Sequence, residues 1–158
     1  MADFALLMVK TNYYMKKMTI TGLLTTVLLI SGLAVFGQED SHQKLDEHHK
    51  KGKEHANAIV SGESKTKEEH KMHAAEAGKS LTEAKKHHAK LKADDKGANG
   101  ESHKAIEKHH ADAQTHLNSL NSELNKSNPD EKKVKEHAKN HHDAIDKAQK
   151  EHQKIKKS

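Results

Sequence analysis

From Gln38 to the end of the chain apolar residues are sparse, and they recur at three- and four-residue spacings. Set on a helix at 100° per residue, Leu45, Gly52, Ala56 and Ile59 form one narrow stripe. Ile106, Ala113, Leu117 and Leu120 form a second. Two longer stripes read His70, Ala74, Ala77, Leu81, Ala84, His88, Leu91 and Val134, Ala138, His141, Ile145, Ala148, His152, Ile155. No sustained alternation of β-branched residues competes with this period, so the pattern predicts helices and no sheet. Breakers cut the chain into four segments. The first covers about 40–60 and stops near "SGES"; the second covers about 65–93 and stops at "DDKGANG". The third covers about 102–126, and the fourth opens at "SNPDE". There Asn128 is expected to cap, Pro129 to take the first helical position, and the following acids to favour the helix dipole.

The segments resemble one another in pairs. "SHQKLDEHHKKGKEH" from Ser41 matches "SHKAIEKHHADAQTH" from Ser102, with the serine and all four histidines in register. "HAAEAGKSLTEAKKHHAKLK" from His73 matches "HAKNHHDAIDKAQKEHQKIK" from His137, pairing Leu81 with Ile145, His88 with His152 and Leu91 with Ile155. The second match is displaced slightly further along the chain than the first, so the second pair of segments has the longer internal loop. Tandem duplication of a helical hairpin accounts for this, with one hairpin over 38–97 and the other over 98–158. The expected fold is all-α, an antiparallel four-helix bundle of marginal stability.

Residues 1–37 have a different character. They hold every aromatic side chain (Phe4, Tyr13, Tyr14 and Phe36) and read as a secretory signal region. Lys16 and Lys17 precede an apolar run from Ile20 to Phe36, and small residues at Val35 and Gly37 suit a cleavage site. Cleavage is expected after Gly37, with Ala34 as the alternative. Asp3 and two tyrosines ahead of the basic pair are unusual in a signal, which makes Met15 an alternative translation start. A periplasmic or secreted protein is implied, with no stable membrane span once the signal is removed.

Composition narrows the functional classes. Beyond residue 37 the chain carries 25 lysines against 22 acids, with no arginine and no cysteine. Disulfides, thiolate metal sites and cysteine nucleophiles are therefore absent. Acids interleave with the lysines and no aromatic residue can stack on a base, so no nucleic-acid partner is expected. No Gly-x-Ser-x-Gly or His-Glu-x-x-His pattern occurs, and the chain is not expected to be an enzyme. Thirteen large aliphatic side chains give only a small core, and a homo-oligomer would be one way to enlarge it.

What the chain has in excess is histidine: sixteen residues, all after Gly37. Any one on an apolar stripe is readily explained as a half-buried filler. The set exceeds that need, and several members have ligand spacing. His42, Asp46 and His49 stand at i, i+4 and i+7 on one helix face, as do His103, Glu107 and His110. Two imidazoles and a carboxylate on one face suit a divalent transition metal such as Zn²⁺, Cu²⁺ or Ni²⁺. His137 with His141 (i, i+4) and His70 with His73 (i, i+3) are further candidate ligand pairs. The same carboxylates could instead make surface ion pairs, Asp46 with Lys50 and Glu107 with Lys104.

Asp46-x-x-His49 and Glu107-x-x-His110 also have the spacing of the Glu-x-x-His of di-iron carboxylate bundles. Those centres need inward carboxylates from the other two helices, where the inward polar positions here are His70, His88, His141 and His152. A ferroxidase site is not expected. Nor is haem, given the lack of aromatics and of a large apolar pocket. The expectation is a protein that binds, buffers or sequesters divalent metal ions. The rival is a hydrophilic stress-protective or envelope spacer protein with no specific ligand.

Overall fold

The computed structural model describes residues 39–157. The expected signal region, its cleavage point after Gly37 and the alternative start at Met15 lie outside these residues. The described chain is a bundle of four helices with no strand. α1 is helical from residue 39 to 61. α2 spans Lys67–Asp94, α3 Gly100–Leu124 and α4 Glu131–Ile155. Among the described residues, no helix is long and apolar enough to cross a membrane.

The helix ends follow local chemistry. α1 stops at Gly62, whose φ of +80° a residue with a side chain would rarely adopt. Thr66 then opens α2 with a capping box: its hydroxyl accepts from the Glu69 N–H, and the Glu69 carboxylate accepts from the Thr66 N–H. Between α2 and α3 the Asp95 carboxylate accepts from the backbone and side-chain amides of Asn99.

The cap of α4 differs from expectation. Asp130, not Asn128, is the N-cap, and its carboxylate accepts from Lys132 N and Lys133 N. Pro129 therefore lies ahead of the helix. The reason is a tether: the buried Glu123 carboxylate accepts the Asp130 N–H at 2.8 Å and also meets Lys126 at 2.6 Å. This holds the loop so that the stronger anionic cap enters the helix first.

Contacts between neighbouring helices run in opposite numerical order. From α1 to α4, His42 meets His152 and Lys53 meets Asp146. From α2 to α3, Lys67 reaches the Lys126 carbonyl, and His88 meets His103. The apolar stripes read from the sequence face inward throughout: Leu45, Ile59, Leu81, Ile106, Leu120 and Ile145 are all buried. Met72 is the exception among the large aliphatics, 54% exposed on the outer face of α2.

Apolar packing is uneven along the bundle. One end has a core shared by all four helices, with Ile59, Ala74, Ala77, Leu117, Leu120, Leu124, Val134 and Ala138 in one cluster. Toward the other end the apolar contacts divide. Leu45, Ala84 and Leu91 form one patch between α1 and α2, and Ile106, Ala148 and Ile155 form another between α3 and α4. The two patches consist of positions that align in the sequence: Leu45 with Ile106, Ala84 with Ala148 and Leu91 with Ile155.

Candidate metal centre

Where the apolar core divides, imidazoles join the two halves. A stripe of small residues flanked by histidine leaves room for rings once the helices close on it, and His49, His88, His110 and His152 contribute one buried ring from each helix. His49 Nε2 lies 2.8 Å from His110 Nε2. His42 Nδ1 lies 2.7 Å from His152 Nε2, and His103 Nδ1 lies 2.9 Å from His88 Nε2. The last two pairs use matching atoms at matching positions of the repeat, His42 corresponding to His103 and His152 to His88. The outer carboxylates follow the same rule, Asp46 meeting Lys156 at 2.9 Å and Glu107 meeting Lys92 at 2.6 Å.

Carboxylates fix how the protons are shared. His152 Nδ1 donates to Asp46 Oδ1 at 2.9 Å, so the neutral ring has its lone pair at Nε2 and accepts there from His42. His103 Nε2 donates to Asp95 Oδ2 at 3.0 Å, so its Nδ1 accepts from His88. In the central pair one imidazole donates and the other accepts. The remaining ring nitrogen of His49, Nδ1, is buried without a hydrogen-bond partner among the described residues.

Burial keeps His49, His88, His110 and His152 neutral. It pushes His110 down to about 3 and His88 to about 4, with neighbouring histidines adding to the effect. His49 is held well below its ordinary value by burial and then by His110. For His152 burial also prevails, although the Asp46 carboxylate pulls the other way. Neutral imidazole is the form a transition metal binds, so at neutral pH these rings need lose no proton, although an ion beside Asp46 would require His152 to carry its proton at Nε2 instead of Nδ1.

One combination converges. Asp46, His49 and His152 each offer a ligand atom, and these atoms lie within 4.8 Å of one another. A metal ion there would use two imidazoles and a carboxylate, leaving coordination positions for water or a further ring. Tetrahedral ligands at about 2.1 Å from an ion stand roughly 3.4 Å apart. Capture would thus open the His152 Nδ1–Asp46 Oδ1 contact of 2.9 Å by about half an ångström.

The structure redistributes the ligands proposed from sequence. Of His42, Asp46 and His49, it brings the last two together with His152, and places His42 on the opposite nitrogen of that ring. Of His103, Glu107 and His110, the first joins His88 and Asp95, the second pairs with Lys92, and the third meets His49. His141 lies 2.9 Å by Nδ1 from the Ala113 carbonyl, while His137 is half-buried one turn away. His70 lies 3.1 Å from the Ser64 carbonyl, and His73 lies 3.1 Å from His55. Asp46 and Glu107 do make ion pairs, but across helices rather than with Lys50 and Lys104, which pair with Glu54 and Glu101.

His152 is visible in the sequence as an inward polar position on the fourth stripe. Nothing in the spacing says that it, rather than His42, stands beside Asp46. Compared with known protein families, curated proteins and solved structures, the chain matches none.

Proposed function

We propose that this is an exported, non-enzymatic helical protein that binds and buffers divalent transition metal ions within its histidine layer. The observation that carries this reading is the convergence of Asp46, His49 and His152, with neutral buried imidazoles and an unpartnered His49 Nδ1. The primary ligands are those three residues. His42 holds His152 from behind, as an outer partner that fixes a ligand's orientation does. Irving–Williams ordering favours Cu²⁺ in raw affinity over Zn²⁺ and Ni²⁺.

We further infer that the fold is an antiparallel bundle produced by duplication of a helical hairpin. The opposed order of the interhelix contacts, the two identically placed apolar patches and the repeated imidazole and carboxylate–lysine pairs support it. Export is inferred from the signal pattern of residues 1–37.

The test is calorimetric titration of residues 38–158 with Zn²⁺, Cu²⁺ and Ni²⁺ at pH 7.5, beside thermal melts. Saturable binding that raises the melting temperature and weakens in Asp46→Asn and His152→Ala is expected. Weak, non-stoichiometric binding with no change in melting would remove the metal reading. The protective or spacer reading would then lead, favoured by outer faces covered in lysine–acid pairs such as Lys44–Asp40, Lys51–Glu47 and Lys79–Glu76.

A further inference from the structure

His48 precedes the interior His49 by one residue, and that step of about 100° turns it out of the histidine layer toward α2. There its ring lies flat against His87, with centroids 5.6 Å apart and planes 11° from parallel. Glu83 stands one turn before His87 on α2. One ligand atom from each of His48, Glu83 and His87 falls within 4.8 Å of the others.

His87 is only 7% exposed, and its Nδ1 has no hydrogen-bond partner among the described residues. A buried, unpaired ring nitrogen is costly unless something satisfies it. His48 and Glu83 are half-buried, so the group is reached from solvent. Burial, with His48 second, holds the His87 imidazole below its ordinary pKa and hence neutral. Glu83 also meets Lys86 at 3.1 Å, an exposed contact that a cation would easily displace.

The corresponding positions of the repeat provide a comparison within the chain. His109 corresponds to His48, Lys147 to Glu83 and Glu151 to His87. An ammonium stands where Glu83 would be and a carboxylate where His87 would be, so the matching face of α3 and α4 lacks the ligand set. The grouping is thus particular to α1 and α2 and does not follow merely from how the helices pack.

We propose that His48, Glu83 and His87 form a second, solvent-reaching site for a divalent transition cation, with two imidazoles and one carboxylate as ligands and the remaining positions open to water. The site stands on its own residues and does not depend on the interior group at Asp46, His49 and His152.

The test is titration of the full chain with Zn²⁺, read by calorimetry, in the native protein, His87→Ala, Glu83→Gln, Asp46→Asn/His152→Ala, and that double variant carrying His87→Ala as well. Circular dichroism verifies that each variant keeps its helix. His87→Ala should bind one ion fewer than the native chain, and Glu83→Gln should weaken one site about ten-fold or more. The double variant should keep one ion and lose it when His87→Ala is added. If His87→Ala binds as many ions as the native chain with unchanged affinities, the second site is overturned. If the double variant binds as many ions as the native chain while His87→Ala loses one, the second site holds and the interior site is overturned. A native chain that binds no Zn²⁺ overturns both.

Discussion

His49 and His110 meet Nε2 to Nε2 at 2.8 Å, and they are each other's counterparts in the sequence repeat. A residue touches its own counterpart only on an axis that exchanges the two, so this contact supports the proposed duplication. The same exchange carries His42–His152 onto His103–His88 and Asp46–Lys156 onto Glu107–Lys92.

The central pair is expected to behave asymmetrically under mutation. Removing one ring by His49→Ala strands the other nitrogen and opens a cavity, and should cost about 2–4 kcal/mol. Replacing both by leucine removes the polar demand altogether. His49→Leu/His110→Leu should recover most of that loss or exceed the parent, while abolishing interior metal binding. Urea unfolding followed by circular dichroism measures the first effect and calorimetry the second.

Acid should unfold the bundle before its carboxylates titrate. His49, His88 and His110 have folded pKa values below the ordinary 6.5, with His88 near 4 and His110 near 3. The unfolded chain therefore takes up protons first. The stability these groups contribute is whole above pH 6.5 and drains away as pH falls toward their folded values. Each such proton costs about 1.4 kcal/mol per pH unit, so three acting together remove a few kcal/mol by pH 5. Asp46 and Asp146 have lowered pKa values, Asp146 about 2, and they contribute nothing to the loss in this range. A melting temperature that did not change between pH 7 and pH 4.5 would contradict this account.

Metal should oppose the acid effect and the thermal one. An ion bound only by the folded chain at a concentration about 100-fold above its dissociation constant adds about 2.7 kcal/mol. His42→Ala leaves the three ligands in place but frees His152 on its far side. It should weaken interior binding roughly ten-fold with little loss of helix. Competition against a chelator of known affinity gives the ratio.

Two glycines within helices separate backbone from packing. At Gly52 an added Cβ would lie 3.6 Å from Ser80 Cβ, an ordinary contact. Gly52→Ala should therefore stabilise by about 0.5–1 kcal/mol through helix propensity. At Gly78 the new Cβ would meet Leu117 Cδ2 at 3.1 Å, so that side chain must shift and the gain should be smaller. Paired thermal melts of the two variants test the order.

The divergence between the two lateral faces can be reversed. Lys147→Glu with Glu151→His gives the α3–α4 face the residue types found at Glu83 and His87, beside the existing His109. One additional Zn²⁺ per chain is the expected result in calorimetry. An unchanged stoichiometry would mean that the corresponding positions are not geometrically equivalent.

The helices and their inward faces were legible because an apolar period survives in a chain otherwise filled with lysine, glutamate and alanine. Leu45, Leu81, Ile106 and Ile145 lie where 100° per residue puts them. The ligand set was only half legible. Spacing places Asp46 and His49 on one face, but the third member depends on how far α4 is rotated against α1, and that is settled by packing between helices. Met72 shows the converse limit: hydrophobicity alone counts it with the core, while its position on α2 turns it to solvent. The α4 cap departs from expectation because Asn128 followed by Pro129 suits a cap and a first turn, and the tether from Glu123 passes the capping role to Asp130. Glu83 and His87 stand four residues apart in plain view, yet off the apolar stripe and without a partner until α1 brings His48.

The division of the apolar core has a consequence for traffic. At the Leu124–Val134 end, parting the helices would bare aliphatic surface common to all four. At the other end each helix pair keeps its own patch, and separating them breaks imidazole contacts and ion pairs such as Asp46–Lys156 and Glu107–Lys92, which water can replace. The bundle is in effect a clasp, fastened at one end and latched at the other. On the proposed reading, ions would pass the latch by local opening, and backbone amides near Leu91 and Ile155 should exchange with solvent well before those near Leu120.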